Sequence, residues 1–185
     1  MKWLDRVIRD LRISRALPRL AKADRVLDVG CGDGEICRRL AKRGVSGVGI
    51  DPRLAKRPDV AGFDFIAGNF PNALPEGEPF DAITMLAVLE HVPAGQKPIW
   101  VEACHARLVK GGVVVLTVPS PRVDSILAVL SFFRLVDGMA LEEHHGFDPA
   151  EVESLFESVG FRLVMHKKFQ LGLNNLFVFR KPFDA

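Results

Sequence analysis

The stretch Val26-Leu27-Asp28-Val29-Gly30-Cys31-Gly32-Asp33-Gly34-Glu35-Ile36 constrains this chain more than any other. In it an apolar run, a glycine-rich turn and the start of a helix follow one another without a break. Gly30, Gly32 and Gly34 form G-x-G-x-G, whose missing side chains permit tight backbone geometry and let main-chain N–H groups come close to a ligand. A dinucleotide-binding turn carries its third glycine one position later, where the helix packs on the strand, and here Glu35 holds that position. A pyrophosphate cofactor is therefore disfavoured, and with it a nicotinamide oxidoreductase.

A second element narrows the ligand further. Val48-Gly49-Ile50-Asp51-Pro52 places a carboxylate at the end of a second strand, in the position of a ribose-binding acid. Two ionised oxygens can accept from both ribose hydroxyls, and such charge-assisted bonds are stronger than neutral ones. An adenosine-containing cofactor without a pyrophosphate satisfies both observations.

Strands are expected near residues 25–30, 46–51, 63–67, 80–86 and 112–118, with two more at 161–168 and 175–181, which makes seven. Their alternation with helical or turn-rich segments predicts an α/β fold, a doubly wound, mostly parallel sheet with helices on both faces. Runs such as Val113-Val114-Val115-Leu116 are apolar at successive positions, as strands covered on both faces should be. Asp33 is expected to cap the helix after the glycine turn, which buries Ile36 and Leu40 and ends near Gly44. Asp148-Pro149-Ala150-Glu151 starts a later helix, with Val152, Leu155, Phe156 and Val159 as its apolar face and Gly160 as its stop.

Residues 1–20 read as an N-terminal amphipathic helix, because Trp3, Leu4, Val7, Ile8 and Leu11 recur at helical spacing and Pro18 discourages continuation. The leading expectation is that this apolar set packs on the domain; contact with a membrane surface is an alternative. Asp5, Arg6, Arg9 and Asp10 interrupt any signal-peptide core. Residues 122–145 fit the alternation poorly. Ile126 to Val136 is largely apolar but about half the length of a membrane span. The segment is read as a lid insertion rising from the carboxyl edge of the sheet, with extra core as the alternative.

At 185 residues and 48% hydrophobic, the chain suits one substantial core, and residues 1–185 are expected to form a single domain. With 25 basic and 23 acidic residues the net charge is +2, so no single-sign field points to nucleic acid. Cys31, Cys37 and Cys104 lack C-x-x-C spacing and read as reduced thiols, which makes the cytoplasm the expected location.

From about Asp24 to Lys181 the chain resembles the class I S-adenosylmethionine-dependent methyltransferases, specifically the small-molecule group related to those of ubiquinone and menaquinone biosynthesis. The motifs that carry the resemblance are VLDVGCGDG, VGIDP, FDAITMLAVLEHV and LVKGGVVVLTVP, in the order the family has them. The resemblance implies a Rossmann-like methyltransferase fold whose last strand is antiparallel, S-adenosyl-L-methionine as cofactor, and methyl transfer to a small, partly apolar acceptor. It also offers the N-terminal helix a role as a cap over the cofactor cleft. A non-catalytic cofactor-binding subunit or regulator is the alternative, and oligomeric state is open.

By the same resemblance Gly30, Cys31 and Gly32 line the methionine end, with Gly34 completing the turn, and Asp28 either orients the amino group or holds the turn. Asp51, followed by Pro52, binds the ribose. Asn69 stands where the family often has an acid facing the adenine amino group, Phe70 covers the ring, and Met85, Leu86 and Ala87 lie beside the methyl donor. His91, in Leu89-Glu90-His91-Val92-Pro93, matches a recurrent family element and is either a base or a loop-fixing residue. His144 and His145 are the other candidates for a base at the acceptor site. Adjacent histidines seldom both reach one metal and no carboxylate triad accompanies them, so no metal site is expected.

Overall fold

The computed structural model describes residues 3–120 and 149–184. The expected lid at 122–145, with His144 and His145, and Asp148, the expected cap of the helix that follows, lie outside the described residues; that helix starts at Ala150 with Pro149 at the N-cap position and not as its first helical residue.

Seven strands form one sheet in the order β3-β2-β1-β4-β5-β7-β6. They are β1 (Arg25–Val29), β2 (Ser46–Asp51), β3 (Phe63–Ala67), β4 (Phe80–Leu86), β5 (Leu108–Pro119), β6 (Arg162–Phe169) and β7 (Asn174–Arg180). All pairings among the first five are parallel, and β7 runs antiparallel to both β5 and β6. The order reverses between β1 and β4, so the loops after those two strands diverge and leave a crevice at the carboxyl edge. β5 begins four residues before the expected 112, because Leu108 pairs with Phe80 across a register shift.

The helices are α1 (Trp3–Ala16), α2 (Glu35–Ala41), α3 (Lys97–Arg107) and α4 (Ala150–Glu157), with a 3₁₀ turn at Leu17–Leu20 after α1. One face of the sheet packs Leu27, Ile83, Leu116, Phe177 and Phe179 against Val101 and Cys104 of α3 and Val152 and Phe156 of α4. On the other face Val26, Ala82, Val115 and Val178 meet Ile13 and Ala16 of α1 and Ile36, Cys37 and Leu40 of α2. This two-sided cover accounts for the continuous apolar runs. In β4 every residue from Ala82 to Met85 is buried. Among the described residues, no helix is long and apolar enough to cross a membrane.

Two further expectations about the helices fail. Val7 and Leu11 of α1 stay 43% and 41% exposed, and the helix packs instead through Ile13 and Ala16, followed by Leu17 and Leu20. Ion pairs set this rotation: Arg9 Nη1 reaches Asp33 at 2.8 Å and Arg39 Nη2 reaches Asp10 at 2.8 Å, which draws the polar flank of the helix toward the glycine turn and α2. Asp33 also does not cap α2. Gly34, left-handed at φ 76°, stands between it and the helix start, and no side-chain capping bond forms. The Asp33 carboxylate is committed to Arg9 instead.

The inner strands bury one carboxyl. Asp28 on β1 is 3% exposed and accepts from the Thr84 hydroxyl of the adjacent β4 at 2.6 Å and from Cys37 Sγ at 3.6 Å. Burial pushes its pKa up to about 7 against those two hydrogen bonds, and the Asp51 carboxylate adds to the rise. A carboxyl whose folded pKa lies above its unfolded one stabilises the fold fully below the unfolded value and loses that contribution as pH climbs to the folded value. We predict that unfolding free energy falls between about pH 4 and pH 7, with Asp28 contributing on the order of 1–3 kcal/mol, and levels off above. Asp28→Asn keeps an acceptor for Thr84 and should flatten the profile. Urea midpoints across that range check this, and an unchanged slope in the variant would refute it.

Close approach of β1 and β2 generates a second expectation. A Cβ at Gly47 would lie 1.8 Å from the Val26 carbonyl oxygen, a backbone atom that cannot turn aside. Gly47→Ala should therefore cost at least about 3 kcal/mol, the upper end for overpacking, measured as the shift in urea midpoint; a loss below about 1 kcal/mol would mean the strands can separate there.

Candidate active site

The glycine turn is stitched to the end of β2. Gly30 N–H and Cys31 N–H both donate to the Ile50 carbonyl, at 2.8 and 3.3 Å, and Gly34 N–H donates to Cys31 O at 2.9 Å. Gly30, Gly32 and Gly34 have φ of 76°, 52° and 76°, a region that only glycine enters without strain. Gly30 has no room for a side chain, since a Cβ there would meet Val88 Cγ2 at 2.4 Å. At Gly32 a Cβ would meet nothing within 4 Å.

Asp51 ends β2 directly opposite this turn. Its Oδ2 accepts from Gly32 N–H at 2.9 Å and its Oδ1 from Arg53 N–H at 2.7 Å. Two backbone donors thus hold the carboxylate in one orientation, each oxygen keeping further lone-pair capacity.

A cavity of about 730 Å³ opens along the carboxyl edge beside it. Of the residues singled out from sequence, Gly30, Asp51, Pro52, Asn69, Phe70, Leu86, Ala87 and His91 line it. Asp28 lies beneath, in the sheet. Cys31 and Met85 point into the two cores and are 6% and 0% exposed, while Gly32 and Gly34 belong to the turn at its side. Burial, with Asp28 and Asp51 nearby, pushes the Cys31 thiol well above the ordinary range, so it stays un-ionised.

Sequence reasoning missed the far wall. Trp100 and Ile99 of α3, with Val88, Val92 and Gln96, complete the cavity, and the Trp100 ring meets Phe70 edge-on at 5.2 Å between centroids. An aromatic within a helix carries no motif, and only the packing of α3 behind the β4 loop brings it there. Ala87 was singled out from sequence, but its backbone conformation was not foreseen. It has φ 59° without being glycine, and its N–H donates to Thr117 O at 2.9 Å, a strained turn that aims the loop after β4 across the cavity mouth.

His91 is exposed on a short 3₁₀ turn, Leu89–His91, at the rim. Its neighbour Glu90 is the more unusual group: 2% exposed, with Oε2 lacking any hydrogen-bond partner. Burial raises the Glu90 pKa to about 7, and the Arg12 and Lys97 cations hold it from going higher. Among the described residues no cluster of His, Cys, Asp or Glu is arranged to hold a metal ion.

Known proteins share this architecture. The chain superposes on a Burkholderia thailandensis 1,6-didemethyltoxoflavin-N1-methyltransferase with TM-score 0.68 and 19% identity, over 92% of this chain and 76% of that one. An S-adenosylmethionine-dependent methyltransferase from Archaeoglobus fulgidus gives TM-score 0.69 at 16% identity, over 95% and 94%. At such identities these likenesses establish the fold. In sequence, a ubiquinone biosynthesis O-methyltransferase from Xylella fastidiosa is 32% identical over 164 residues, 82% of this chain and 65% of the relative. One from Psychrobacter arcticus is 29% identical over 153 residues, 74% and 58%. The chain thus spans about three fifths of the length of the curated relatives it matches. The family model for a methyltransferase domain matches residues 2–166, and, with the seven-stranded sheet and its glycine turn, this chain belongs to the methyltransferase-domain family.

Proposed function

We propose that this chain transfers a methyl group from S-adenosyl-L-methionine to a small, partly apolar acceptor, as the family membership and the names of its relatives suggest. The observation that carries the reading is Asp51. Its carboxylate is pre-oriented by Gly32 N–H and Arg53 N–H at the mouth of a cavity sized for a nucleoside, beside a turn of left-handed glycines in which Gly30 has no room for a side chain. That carboxylate can accept from ribose hydroxyls, and the turn beside it lacks the third glycine a pyrophosphate asks for.

In this reading Asp51 and Pro52 hold the ribose, and Asn69 and Phe70, with Trp100 behind, hold the adenine. Gly30, Cys31, Gly32 and Gly34 form the backbone cradle for the methionine part, with Asp28 beneath orienting the amino group. Leu86 and Ala87 border the methyl donor, while Met85 serves the core. Bound S-adenosylmethionine supplies an electrophilic sulfonium methyl. The chain's own work is then to align a nucleophile and exclude water, effects worth about 7–11 kcal/mol in well-oriented systems.

A proton must also leave a protonated oxygen or nitrogen acceptor, and general bases contribute about 10²–10⁴ in rate. His91 at the rim is the described histidine placed for this; His144 and His145 are further candidates from sequence. Three free, buried cysteines support a reducing, cytoplasmic setting.

Calorimetry should show binding of S-adenosylhomocysteine and none of NAD. Asp51→Ala should weaken that binding by about 1.5–3 kcal/mol, roughly ten- to a hundredfold. An unchanged dissociation constant in a folded variant would place the ribose elsewhere.

Gly32→Val has protein-free space around its Cβ but a backbone that L side chains rarely adopt. It should impair S-adenosylhomocysteine binding while circular dichroism stays native, and normal binding would exclude the turn as the cradle. With an acceptor in hand, His91→Ala should lower turnover by about 10² at unchanged cofactor affinity; full turnover would remove His91 from the chemistry.

A further inference from the structure

We propose that the turn between β6 and β7, together with the outer stripe of α1, docks this protein on an anionic lipid surface. Leu171 is the apolar anchor, and Lys167, Lys168 and Arg15 supply the charge. None of these residues lines the cavity, and the surface needs no cofactor to act.

The backbone of the turn is strained. Gln170, Leu171 and Gly172 have φ of 52°, 56° and 84° in succession, and of the three only the glycine enters that region freely. Hydrogen bonds from the surrounding elements impose the conformation. Gly172 N–H donates to Phe169 O at 3.1 Å and Leu173 N–H to Gln170 O at 3.0 Å. Ser120, just past β5, donates through its hydroxyl to Gly172 O at 2.6 Å and through its N–H to Leu173 O at 2.8 Å. The Gln170 side chain accepts from Asn174 Nδ2 and donates to the Ile8 carbonyl of α1. All this holds Leu171 outward, where its side chain is fully exposed. A bulky residue kept in water by a backbone that is itself unfavourable points to a partner outside the chain.

α1 extends the apolar surface. Val7, Leu11 and Arg15 are spaced four apart, so they share one side of the helix, and all three are exposed. The bond from Gln170 to Ile8 sets the turn beside this stripe. On β6, Lys167 stands between Met165 and Phe169, which pack into the core under α1, so it emerges on the α1 side and Lys168 on the other. Both lysines are exposed.

Charge selects the partner. From Arg162 to Leu173 there are three Lys and Arg residues and no Asp or Glu, although the whole chain carries only +2. Asp10 of α1 is taken up by Arg39. A leucine ringed by cations complements a surface that is apolar inside and anionic at its boundary, which is a bilayer of acidic lipids. A symmetric contact with a second copy of the chain would set these cations against one another. The turn lies at the carboxyl end of β5, where Asn174 pairs with Pro119, and the cavity opens along the same edge.

Sedimentation of the full chain with vesicles tests the surface. The protein should pellet with vesicles of equimolar phosphatidylcholine and phosphatidylglycerol, and at least about tenfold more weakly with phosphatidylcholine alone. Raising the ionic strength from about 0.1 M to about 1 M, which shortens the Debye length from about 10 Å to about 3 Å, should release most of it. Leu171→Gly relieves the backbone and removes the anchor, so it should weaken partition about tenfold while the urea midpoint stays level or rises. Lys167→Gln combined with Lys168→Gln should weaken it by about tenfold or more. Leu11→Gln, in an exposed stripe with good helix propensity, serves as a second apolar variant if Leu171→Gly fails to fold, and should also lose partition. No pelleting with the acidic vesicles, equal pelleting with the neutral ones, or full partition of the folded apolar variants would each overturn the surface. Vesicle binding without any S-adenosylhomocysteine binding would support the surface and overturn the methyl-donor reading alone.

Discussion

The junction between the glycine turn and the end of β2 holds the site together. Ile50 O receives the N–H groups of Gly30 and Cys31, and Asp51 receives those of Gly32 and Arg53, so four backbone donors converge on two consecutive residues. The geometry needs β1 and β2 parallel and in register, with Val29 opposite Ile50. It also needs left-handed backbone at Gly30 and Gly32, so that successive N–H groups face the strand instead of continuing a helix. Because β4 then leaves β1 on the opposite side, the turn after β1 has open space in front of it, and the cavity follows from topology before any side chain is considered.

Around that opening the fold retains polar groups that an apolar core would exclude. Asp28 and Thr84 satisfy one another between β1 and β4. Glu90 and Thr117 each keep an atom unsatisfied. All four belong to the carboxyl-side halves of the inner strands or to the loop after β4, whereas the deeper positions Val26, Ala82 and Val114 are apolar and fully buried. Polarity concentrated at one edge of an otherwise dry sheet is what a binding edge looks like in energetic terms, since each such group reduces stability unless something outside the core completes it.

Much of this was legible from residues alone. Strands buried on both faces announce themselves as apolar runs, and β2, β3 and β4 fall at the expected positions. The glycine turn and Asp51 were readable because their chemistry depends on local backbone and on a fixed offset. The rotation of α1 was not. Val7 and Leu11 carry the helical periodicity, yet the Arg9–Asp33 and Arg39–Asp10 pairs, made to partners 24 and 29 residues away, decide which side faces inward. Asp33 was misread for the same reason, since capping is a local inference and a long-range partner outcompeted it. Trp100, Glu90 and Arg12 escaped because each gains meaning only through what the topology sets opposite it.

α1 joins the two halves of the edge. Arg9 ties it to Asp33 in the glycine turn, and Arg12 ties it to Asn174 at the start of β7. Gln170, in the turn between β6 and β7, donates to the Ile8 carbonyl at 3.5 Å. One helix therefore touches the glycine turn on one side and the β6–β7 end on the other, across the inner strands of the sheet. Exposed ion pairs such as Arg9–Asp33 contribute little stability, with a median of about 0–1 kcal/mol, so the buried face of Ile13 and Ala16 has to supply most of the attachment. The ion pairs then act chiefly as register marks, fixing the helix rotation that brings Arg12 to Asn174 and leaves Val7 and Leu11 outward.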